Sequence, residues 1–491
     1  MLHAALPGSG LPPGNLVRRP DSIRCLAALI AVTTLPSVAQ AQGYFAGSKG
    51  ARVAGRAGAF VAKADDLSAV ELNPAGLSRM PGWTFQVSNR FSYNSVSYQR
   101  DPTINTSPGQ GDLESFAAVQ NQTPLQGLDP LLGVAYGIGD WGFALSAYAP
   151  PGIARLSFPL DGGQRYMMVS RDAEILTYTA SVAYKFKDLF GVGATAQWVH
   201  VPKLEYSLVV DGFPGAAVNN VSSQYDMLST VSGSDPFTLT AVIGGWLKPL
   251  PFLEFGLSGQ VVPARIEANS TLGIEPVSSS FSDGYVELTR DGYPANDVTL
   301  ILPLPMFARF GARYIGEMFD VEFDATYQTW SRVQDFNLYS NGLVGTLYDL
   351  DPSGMPSPVD TIEVGDVVIE KRWNDSFTLQ VGSDVQVIED KLALRGGFGY
   401  ESAVASPAYA NVDFATGQHI NLAVGGSLFL GQFELALAYG LRHQLPLYVS
   451  EADGLVFQEK PGSMQPPPVV NAGSYYATSH FLSLDVLFRL D

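Results

Sequence analysis

The mature part of this sequence lacks cysteine, because the only cysteine among its 491 residues is Cys25. Cys25 lies in an N-terminal segment that we expect to be removed after export. Disulfide bonds therefore cannot stabilise the mature protein, and an exported chain without them depends on its size or on membrane insertion. Long uncharged apolar runs are also missing after Gln42, which excludes membrane-spanning helices.

Basic residues are scarce relative to acidic ones. The 29 basic and 47 acidic residues fall to 26 and 46 once residues 1–41 are removed, which leaves a formal net charge of −20. A chain this acidic is a poor partner for a phosphate backbone, so we expect no nucleic-acid partner. Glycine, tyrosine and phenylalanine are abundant, with 50, 22 and 27 residues, which favours an all-β fold.

The first 41 residues have the organisation of a secretory signal peptide. Three arginines between positions 18 and 24 form a positive region, and Cys25–Leu35 forms an apolar core. Ala39-Gln40-Ala41 matches a small-x-small cleavage site. The apolar core is too short for a transmembrane helix. We therefore expect the mature chain to begin at Gln42.

Alternation of apolar and polar residues dominates the rest of the chain. From Trp83 to Tyr93 the odd positions are apolar except Asn89, and the even positions are polar. This period of two is typical of strands with one apolar face. It recurs at residues 132–138, 141–147, 176–186, 192–198, 239–247, 253–261, 306–314, 321–327, 377–385, 392–400, 420–428, 433–441 and 482–490. Each of these fourteen segments is close to the length at which a tilted strand crosses a bilayer.

The connections between these segments alternate in length. Short turns are predicted at 139–140, 187–190, 248–251, 316–320, 388–391 and 431–432. Long polar stretches are predicted at 94–130, 150–174, 201–237, 262–305, 331–374, 401–419 and 443–479. Short turns at one end, long loops at the other and an even number of strands are typical of an outer-membrane barrel. The sequence therefore predicts an all-β, fourteen-stranded antiparallel transmembrane β-barrel.

The two faces of the predicted strands differ in chemistry. Near the strand ends lie aromatic residues that we expect to form the girdles at the membrane interfaces: Trp83, Tyr93, Trp141, Tyr148, Trp198, Trp246, Trp330 and Trp373. The face opposite the apolar one carries charged residues that fit a polar lumen: Arg90, Glu254, Arg309, Arg313, Glu322, Asp324, Asp384, Arg395, Glu434, Arg442, Asp485 and Arg489. A lumen with charges of both signs can pair with a charged plug.

Residues 42–82, ahead of the first strand, are predicted to be that plug. About eight strands leave a lumen that side chains fill, and roughly 16 to 18 leave an open channel, so fourteen strands need an additional filling. The segment is rich in glycine and alanine and carries charges of both signs. We therefore expect a signal peptide at 1–41, a hatch at 42–82 and a transmembrane barrel at 83–491.

One local element can be predicted within the hatch. Asp65-Asp66 is placed to cap a short helix that runs to Glu71, and Ser68 and Glu71 have the spacing of a capping box. Asn73-Pro74 disfavours helical backbone at Asn73, so we expect the helix to end there.

The stretch from Gly43 to Leu77 resembles the N-terminal hatch of the FadL/TodX-type outer-membrane transporters for long-chain fatty acids and other hydrophobic compounds. Its most specific part is Asp65-Asp66 followed by Asn73-Pro74-Ala75-Gly76-Leu77. Further matches are Pro151-Gly152, Gly163–Tyr166, Arg372–Asp375 and Leu392–Gly397. The resemblance covers almost all of the chain from Gly43 onward, and it implies a fourteen-stranded barrel with an N-terminal plug.

The resemblance also implies a function, namely passive uptake of long-chain fatty acids or other hydrophobic compounds, without a cofactor and without enzymatic activity. It implies a gate in the hatch formed by Asp65, Asp66, Asn73, Pro74, Ala75 and Gly76. It implies lateral release through the wall near the third strand, at Gly142, Ser146, Pro150 and Pro151. Capture is implied at loops 201–237 and 262–305, where Leu300–Met306 is an apolar run.

Two other functions stay open: a general hydrophilic porin, and a surface-exposed structural or adhesive barrel. Catalytic residues are not expected, because Gly-x-Ser-x-Gly is absent and the histidines lie on separate segments. No metal site is expected. The spacing from Asp349 to Asp360 resembles that of a Ca²⁺ loop, but three prolines stiffen the segment and position twelve is Asp, so an acidic solvated loop is the better interpretation. Besides the hydrophobic molecule, the expected partners are outer-membrane lipids, lipopolysaccharide and the barrel-assembly machinery. We expect a monomer.

Overall fold

The computed structural model describes residues 49–104, 113–149, 155–211, 226–277, 284–351, 353–459 and 467–490. The predicted signal peptide at 1–41 and the first seven hatch residues lie outside the described residues. Pro150 and Pro151, predicted for the lateral opening, also lie outside them.

Fourteen strands of the described residues form one closed antiparallel barrel. In chain order, β1 to β14 are Gly82–Arg100, Pro130–Ile138, Trp141–Tyr148, Ser170–Phe186, Phe190–Asp211, Asp226–Leu250, Leu253–Gln260, Phe307–Ile315, Phe319–Gln328, Ser376–Ile388, Leu392–Glu401, His419–Leu430, Phe433–Gln444 and Gly473–Leu490. Each strand pairs with the next. The ring is closed by β1 and β14, from Trp83 opposite Leu490 to Arg100 opposite Gly473. The predicted fold class and strand number are confirmed.

The barrel is apolar outside and polar inside. On β1, Phe85 and Val87 are 42% and 55% exposed, whereas the alternating residues Gln86 and Ser88 are buried. Successive side chains of a strand point to opposite faces, so one face meets lipid and the other lines the lumen. The charged residues predicted for the lumen are buried there, apart from three half-buried arginines, Arg309, Arg313 and Arg489.

Short turns join the strands at one end of the barrel, which we call the short-turn end. All six turns predicted from the sequence lie between described strands. Gly139 and Gly431 take φ values of 58° and 63°, a left-handed conformation that glycine adopts without steric cost. The prediction of loop lengths is therefore confirmed at this end.

The opposite end, which we call the long-loop end, has more β structure than predicted. β5 runs to Asp211 and β6 starts at Asp226, within the stretch predicted as the polar loop 201–237. Arg265–Pro276 pairs with Asp297–Pro303, so the predicted loop 262–305 is also largely strand. These loop predictions were wrong, because backbone pairing continues past the point where the outer face has to meet lipid.

Smaller elements complete the long-loop end. Asp335–Tyr339 and Val367–Glu370 extend the barrel sheet. A separate four-stranded sheet is formed by Tyr285–Arg290, Tyr293–Pro294, Leu343–Leu350 and Pro356–Val364. Short strands lie at Thr103–Ile104, Leu113–Glu114, Val119–Gln120, Leu125–Gln126, Leu156–Ser157 and Leu447–Val449, and 3-10 turns at Trp330–Arg332 and Pro407–Tyr409.

The described part of the hatch, Lys49–Pro81, contains three short helices. They are α1 at Ala51–Ala54, α2 at Ala69–Leu72 and a 3-10 helix at Pro74–Arg79. No helix among the described residues is long and apolar enough to span a membrane. Asn73 is extended, with φ −160° and ψ 94°, so the predicted end of the hatch helix is confirmed.

The predicted capping box was wrong. Ser68 stands at the N-cap of α2, but its side chain makes no capping bond. The Ser68 hydroxyl and backbone N–H instead donate to Asp66 Oδ1, at 2.5 and 2.9 Å. A buried carboxylate is a stronger acceptor than a hydroxyl, so Asp66 holds the start of the helix in place of Ser68.

Half of the aromatic residues predicted for the girdles point inward. Trp83, Tyr93, Trp141 and Trp198 are exposed on the outer face, as expected. The others are at most 5% exposed: Tyr148, Trp246, Trp330 and Trp373. Tyr148 and Trp246 point into the lumen, where their polar atoms find hydrogen-bond partners. The Tyr148 hydroxyl accepts from Gln197 Nε2, and Trp246 Nε1 donates to Ala75 O of the hatch. Trp330 and Trp373 join an apolar cluster at the long-loop end.

That cluster also contains the apolar run predicted to capture substrate. Leu300, Leu302 and Leu304 are 7%, 3% and 6% exposed. They pack with residues from several strands, including Val199, Ile266 and Trp373. The run is therefore buried in the apolar cluster of the long-loop end, and the implied role of this loop in capture stays a prediction.

Candidate functional site: the hatch and the lumen wall

The wall touches the hatch backbone at glycines on widely spaced strands. A Cβ added at Gly142 of β3 would lie 2.3 Å from Leu77 O, and one at Gly193 of β5 would lie 2.5 Å from the Pro74 carbonyl carbon. On β7 and β11, Gly256 and Gly397 come equally close to Val61 and Arg56. Only glycine permits such an approach. Because these strands lie around the ring, the hatch occupies the full width of the lumen.

Two carboxylates of β9 bind the hatch backbone directly. Asp324 Oδ2 accepts from the N–H groups of Phe60 and Val61, at 2.7 and 2.9 Å. Glu322 Oε1 accepts from the N–H of Ala62 at 2.6 Å. Both carboxylates are fully buried. These N–H groups lie at a turn outside the helices and strands, so they have no partner in regular structure, and the two carboxylates satisfy them.

Two hatch cations bind carboxylates on the same part of the wall. Arg56 contacts Asp320 at 2.5 Å, and Glu322 and Asp384 each at 3.1 Å. Lys63 Nζ lies 2.7 Å from Asp320 and 2.6 Å from Asp384. The Arg56 side chain is completely buried. The pairing of hatch and lumen charges that the sequence allowed is therefore present.

Asp320 is the wall residue that the sequence analysis missed. It was assigned to the turn at 316–320, whereas β9 starts at Phe319. Asp320, Glu322 and Asp324 alternate along β9 and share its inner face. The period of two that defined the other strands extends one step further here and would have identified Asp320 as a lumen residue.

Arg52 connects the predicted gate residues Asp65 and Asp66 to the wall. Its guanidinium lies 2.8 Å from Asp65, 3.3 Å from Asp66 and 3.3 Å from Glu434 of β13. Burial alone would raise the pKa of Asp65, but Arg52, Lys63 and Arg313 together outweigh it and hold that pKa well below its usual range. Burial raises the pKa of Asp66, and Arg52 opposes this rise without cancelling it. The adjacent carboxylates therefore differ in how readily they carry charge.

Asn73 ties the end of α2 to both the hatch and the wall. Its Nδ2 donates to Val61 O at 2.8 Å and to Gly245 O of β6 at 3.0 Å. Its Oδ1 accepts from the Ala75 N–H at 3.3 Å. Asn73 is fully buried. The wall contact of Asn73 is therefore to β6.

Ala75 and Gly76 have separate roles beside Asn73. Trp246 Nε1 of β6 donates to Ala75 O at 3.1 Å. A Cβ added at Gly76 would lie 2.0 Å from Ala64 O, so the hatch folds back on itself there. Because Ala64 directly precedes Asp65, the two parts of the predicted gate, Asp65-Asp66 and Asn73–Gly76, lie next to each other.

The predicted lateral-opening strand faces an apolar side of the hatch. Leu67, Val70 and Leu77 form a cluster with Leu131 of β2, Ala144 and Tyr148 of β3 and Ala183 of β4, together with Ala64, Ala69, Met80 and Ala135. Within β3, Ser146 Oγ lies 2.6 Å from Thr179 Oγ1 of β4. Backbone pairing of β3 with both neighbours is continuous from 141 to 148.

The hatch separates two cavities. One, of about 460 Å³, lies at the short-turn end, and the hatch lines it with Arg52, Lys63, Asp65 and Arg79. The other, of about 60 Å³, lies on the long-loop side, and we call it the upper cavity. Its lining residues are Glu71, Tyr148, Thr177, Gln197, Val199, Thr240, Gln260, Ala264, Leu304, Pro305, Phe307, Arg309 and Gln328. Arg309 Nη1 donates to Glu71 O at 2.6 Å at the hatch surface.

The acidic stretch from Asp349 to Asp360 folds as a hairpin. Asp351 Oδ1 accepts from the N–H groups of Ser353 and Met355, at 2.8 and 3.0 Å. Asp360 pairs within a strand, opposite Leu347. Over the described residues, no group of three or more His, Cys, Asp or Glu side chains is placed to hold a metal ion.

Residues 32–428 match the family model described as outer membrane protein transport protein (OMPP1/FadL/TodX). The chain belongs to this family. OMPP1/FadL/TodX membership, together with the closed fourteen-stranded barrel, places the protein in the outer membrane of a Gram-negative cell as a multi-pass transport protein. No curated protein matches the chain.

Solved structures of similar fold agree with the OMPP1/FadL/TodX assignment. A Pseudomonas aeruginosa FadL homologue superposes with a TM-score of 0.67 at 16% identity, covering 91% of this chain and 100% of that one. The Ralstonia pickettii toluene transporter TbuX gives 0.56 at 15% identity, covering 91% and 99%. The P. putida toluene transporter TodX gives 0.58 at 14% identity, covering 91% and 99%. At these identities the likeness concerns the fold.

Proposed function

We propose that this protein carries hydrophobic compounds passively from outside the cell through the outer membrane, with the hatch as its gate. The observation that carries the proposal is the contrast along the lumen. A large apolar cluster packs at the long-loop end and supplies Val199, Ala264 and Leu304 to the upper cavity, whereas a charged, hydrogen-bonded hatch fills the barrel beneath it. A hydrophobic molecule gains free energy by leaving water for apolar surface, about 25 cal/mol per Å² buried.

Substrate would enter from the long-loop end, which faces outward in outer-membrane barrels. The apolar cluster leads to the upper cavity, where Val199, Ala264 and Leu304 belong to both. Glu71 of the hatch forms part of the opposite side of this cavity. The route from the outside therefore ends on the hatch, and passage requires the hatch to rearrange.

The hatch would open by exchanging polar contacts at the predicted gate. Asp65 and Asp66 share Arg52 with Glu434, and Asn73 bridges the hatch and β6. Each of these bonds has a counterpart in water, so losing it costs about 0.5–1.5 kcal/mol net where water can enter. Pro74, Ala75 and Gly76 follow Asn73 directly and would move with it.

Release would occur sideways through the wall near β3, at Gly142, Ser146, Pro150 and Pro151. β3 is among the shortest strands of the barrel, at eight residues, beside the seventeen-residue β4. Its inner face carries small residues, including Gly142 and Ser146, and it adjoins the apolar side of the hatch. An apolar molecule that leaves here enters the bilayer without crossing the charged short-turn cavity.

The substrate class is a small or chain-like hydrophobic molecule. The solved relatives support this class through their descriptions as a FadL homologue and as toluene transporters. Long-chain fatty acids and aromatic hydrocarbons are the two candidates within it. We also propose that the protein acts as a monomer, inserts through the barrel-assembly machinery and contacts outer-membrane lipids and lipopolysaccharide on its apolar outer face.

Uptake measurements test the proposal. Cells without their own hydrophobic-compound channel, expressing this chain, should accumulate radiolabelled oleate or toluene faster than cells with an empty vector. Swelling of liposomes in small sugars tests the alternative of a general porin, and a hatch-filled lumen predicts little swelling. Sugar swelling without hydrophobic uptake would favour the porin. Normal uptake after deletion of the chain from its own host would favour the structural or adhesive barrel.

Surface labelling tests the orientation. A short tag inserted at Gly354, in the turn of the long-loop hairpin, is expected to be accessible to antibody on intact cells. Tags at Gly139 and Gly431, in the short turns, are expected to become accessible only after the outer membrane is opened. Surface labelling at either short turn would reverse the proposed direction of transport. The positions predicted for tags at Gly212 and Asp283 lie outside the described residues.

A further inference from the structure

The connection between β11 and β12 folds into the barrel. The sequence predicted a long polar loop at 401–419, but residues 410–417 are all buried. Asp413 and Phe414 are 1% and 2% exposed. We call residues 410–417 the upper plug. The predicted connection is present, but it is not a solvated surface loop. Phe414 packs in the apolar cluster that contains Trp373, and Ala410, Val412 and Ala415 pack in a second apolar cluster with Tyr98 and Tyr475.

The upper plug reaches the far side of the barrel. In a ring of fourteen strands, β11 and β12 stand seven positions from β4 and β5, the greatest separation the ring allows. Tyr206 of β5 nevertheless donates its O–H to Asp413 Oδ2 at 3.2 Å. The Arg171 guanidinium of β4 lies 4.4 Å from the centre of the Phe414 ring. The plug therefore crosses the bore from one wall to the other.

Further contacts hold the upper plug from two other sides. Asn471 Nδ2 donates to Ala410 O at 3.1 Å, and the Tyr475 O–H of β14 donates to the same carbonyl at 3.3 Å. The Phe414 ring packs edge-on against Trp373, with centroids 5.7 Å apart. Opposite walls and the β14 side are thus joined across the lumen by one short segment.

A buried ion pair holds the centre of the plug. Lys371 Nζ binds Asp413 Oδ2, and both side chains are 1% exposed. Replacing a buried ion pair with apolar side chains is often neutral or stabilising, so such a pair is weak evidence for stability alone. Its bonds are directional and exchangeable, which suits a contact that forms and breaks.

We propose that the upper plug is a second gate, at the outer end of the barrel, and that the Lys371–Asp413 pair is its latch. In the closed state the plug lies between the outside and the route to the upper cavity. The hatch closes the other end, so substrate passes through a chamber between two barriers. The direction of passage rests on the proposed function, whereas the opening of the plug does not and can be measured separately.

Chemical labelling of a cysteine in the plug tests the proposal. Because the mature chain lacks cysteine, Val412→Cys introduces a single thiol at a side chain that is 2% exposed. On intact cells, a membrane-impermeant maleimide is expected to label it slowly. Ala452→Cys, on an exposed turn of the same end, gives the rate for a freely accessible thiol.

Weakening the latch should open the plug. Lys371→Met leaves Asp413 buried without its cation, and we expect labelling of Val412→Cys to rise about tenfold or more. Arg372→Met is the matched control, because Arg372 pairs with Glu370 at the exposed surface and should change labelling little. Lys371→Met combined with Asp413→Leu leaves no unpaired charge, so slow labelling and slower substrate uptake should follow.

Several results would overturn the second gate. Equal labelling of Val412→Cys with and without Lys371→Met, in barrels whose heat-modifiable gel mobility shows correct folding, would mean that the pair is no latch. Normal uptake of a hydrophobic compound while Val412→Cys stays unlabelled over many turnovers would make the plug a fixed part of the wall. If no hydrophobic compound enters at all, the proposed function fails, and the labelling of the Lys371 variants still decides whether the plug opens.

Discussion

The side of the hatch that faces β9 and β10 and the side that faces β2–β4 contact the barrel through different chemistry. On the first side, Arg56 and Lys63 bind three carboxylates, and Asp324 accepts two hatch N–H groups. On the second side, Leu67, Val70 and Leu77 pack against small and apolar wall residues. The hatch is therefore held by ion pairs and hydrogen bonds on the first side and by apolar packing on the second.

The two sides differ in the free energy that is needed to separate the hatch from the barrel wall. A charged contact that is pulled away can be replaced by water, and its free energy depends steeply on whether both partners stay together. Apolar packing loses stability in proportion to the area exposed, without directional preference. We infer that the polar side fixes the position of the hatch, whereas the apolar side lets it slide near β3, where lateral release is proposed.

The largest effect is expected from removing two hatch arginines, Arg56 of the polar side and Arg52, which binds Glu434 of β13. Arg52→Ala combined with Arg56→Ala leaves Asp320, Glu322 and Asp384 with fewer partners in a buried site. Breaking a buried pair costs about 3–5 kcal/mol, enough to loosen the hatch. We expect the barrel to become leaky to small hydrophilic solutes and large antibiotics, measured by solute influx and by antibiotic sensitivity.

Arg265→Ala is the matched control for that variant. Arg265 pairs with Glu267 at an exposed site, where an ion pair contributes about 0–1 kcal/mol. Its permeability should stay at the parental level. If the double arginine variant is equally tight, and its hatch is still protected from added protease, apolar packing alone holds the hatch.

A smaller effect is expected at the junction between the two sides. Asn73→Ala combined with Pro74→Ala removes the bonds to Val61 O and to Gly245 O. Leaving a buried carbonyl unpaired costs about 1–3 kcal/mol. We expect hydrophobic uptake to fall while barrel assembly, judged by heat-modifiable mobility, stays intact. Full uptake by an inserted variant would reduce Asn73-Pro74 to the end of a helix.

The polar side shows how far the sequence alone could go. Alternation identified Glu322, Asp324 and Asp384 as lumen residues, and the opposite charges in the hatch predicted pairing. The individual partners, such as Arg56 with Asp320, could not be predicted, because they depend on how far the hatch enters the barrel. That depth is set by glycines such as Gly142 and Gly397, whose contacts are visible only in three dimensions.

The long-loop end shows where the sequence failed. Polar composition predicted loops at 201–237, 262–305 and 401–419, yet the first two are largely strand and the third enters the lumen. Alternation reports which face meets lipid, and this signal disappears where the wall rises out of the membrane. Backbone pairing does not need that signal, so strands continue without a visible pattern.

The apolar side is tested by filling a close contact. Gly142→Ala places a Cβ 2.3 Å from Leu77 O, so the hatch or β3 has to shift, at a cost of about 1–3 kcal/mol. We expect a modest loss of hydrophobic uptake and little solute leakage, because the ion pairs remain. Gly127→Ala, which has nothing within 4 Å, is the control. Leakage as large as that of the arginine variant would contradict the division of roles between the two sides.

The smallest effect on hatch stability is expected from replacing Asp65 or Asp66, whose pKa values are shifted in opposite directions. Arg52, Lys63 and Arg313 together hold the pKa of Asp65 low despite burial. Asp65 therefore contributes stability above its unfolded-state pKa and loses that contribution as the pH falls toward its lower folded-state pKa. Burial raises the pKa of Asp66, so the contribution of Asp66 declines as the pH rises from its unfolded-state to its folded-state pKa.

The side chain of Asp65 is 38% exposed, so water screens its ion pair with Arg52, and Asp65→Asn should cost about 0–1 kcal/mol at neutral pH. Asp66→Asn should leave hatch stability unchanged or raise it. Hydrogen exchange of the amides around Ala64–Leu77 measures both variants, and equal destabilisation by both would show that the two carboxylates act alike.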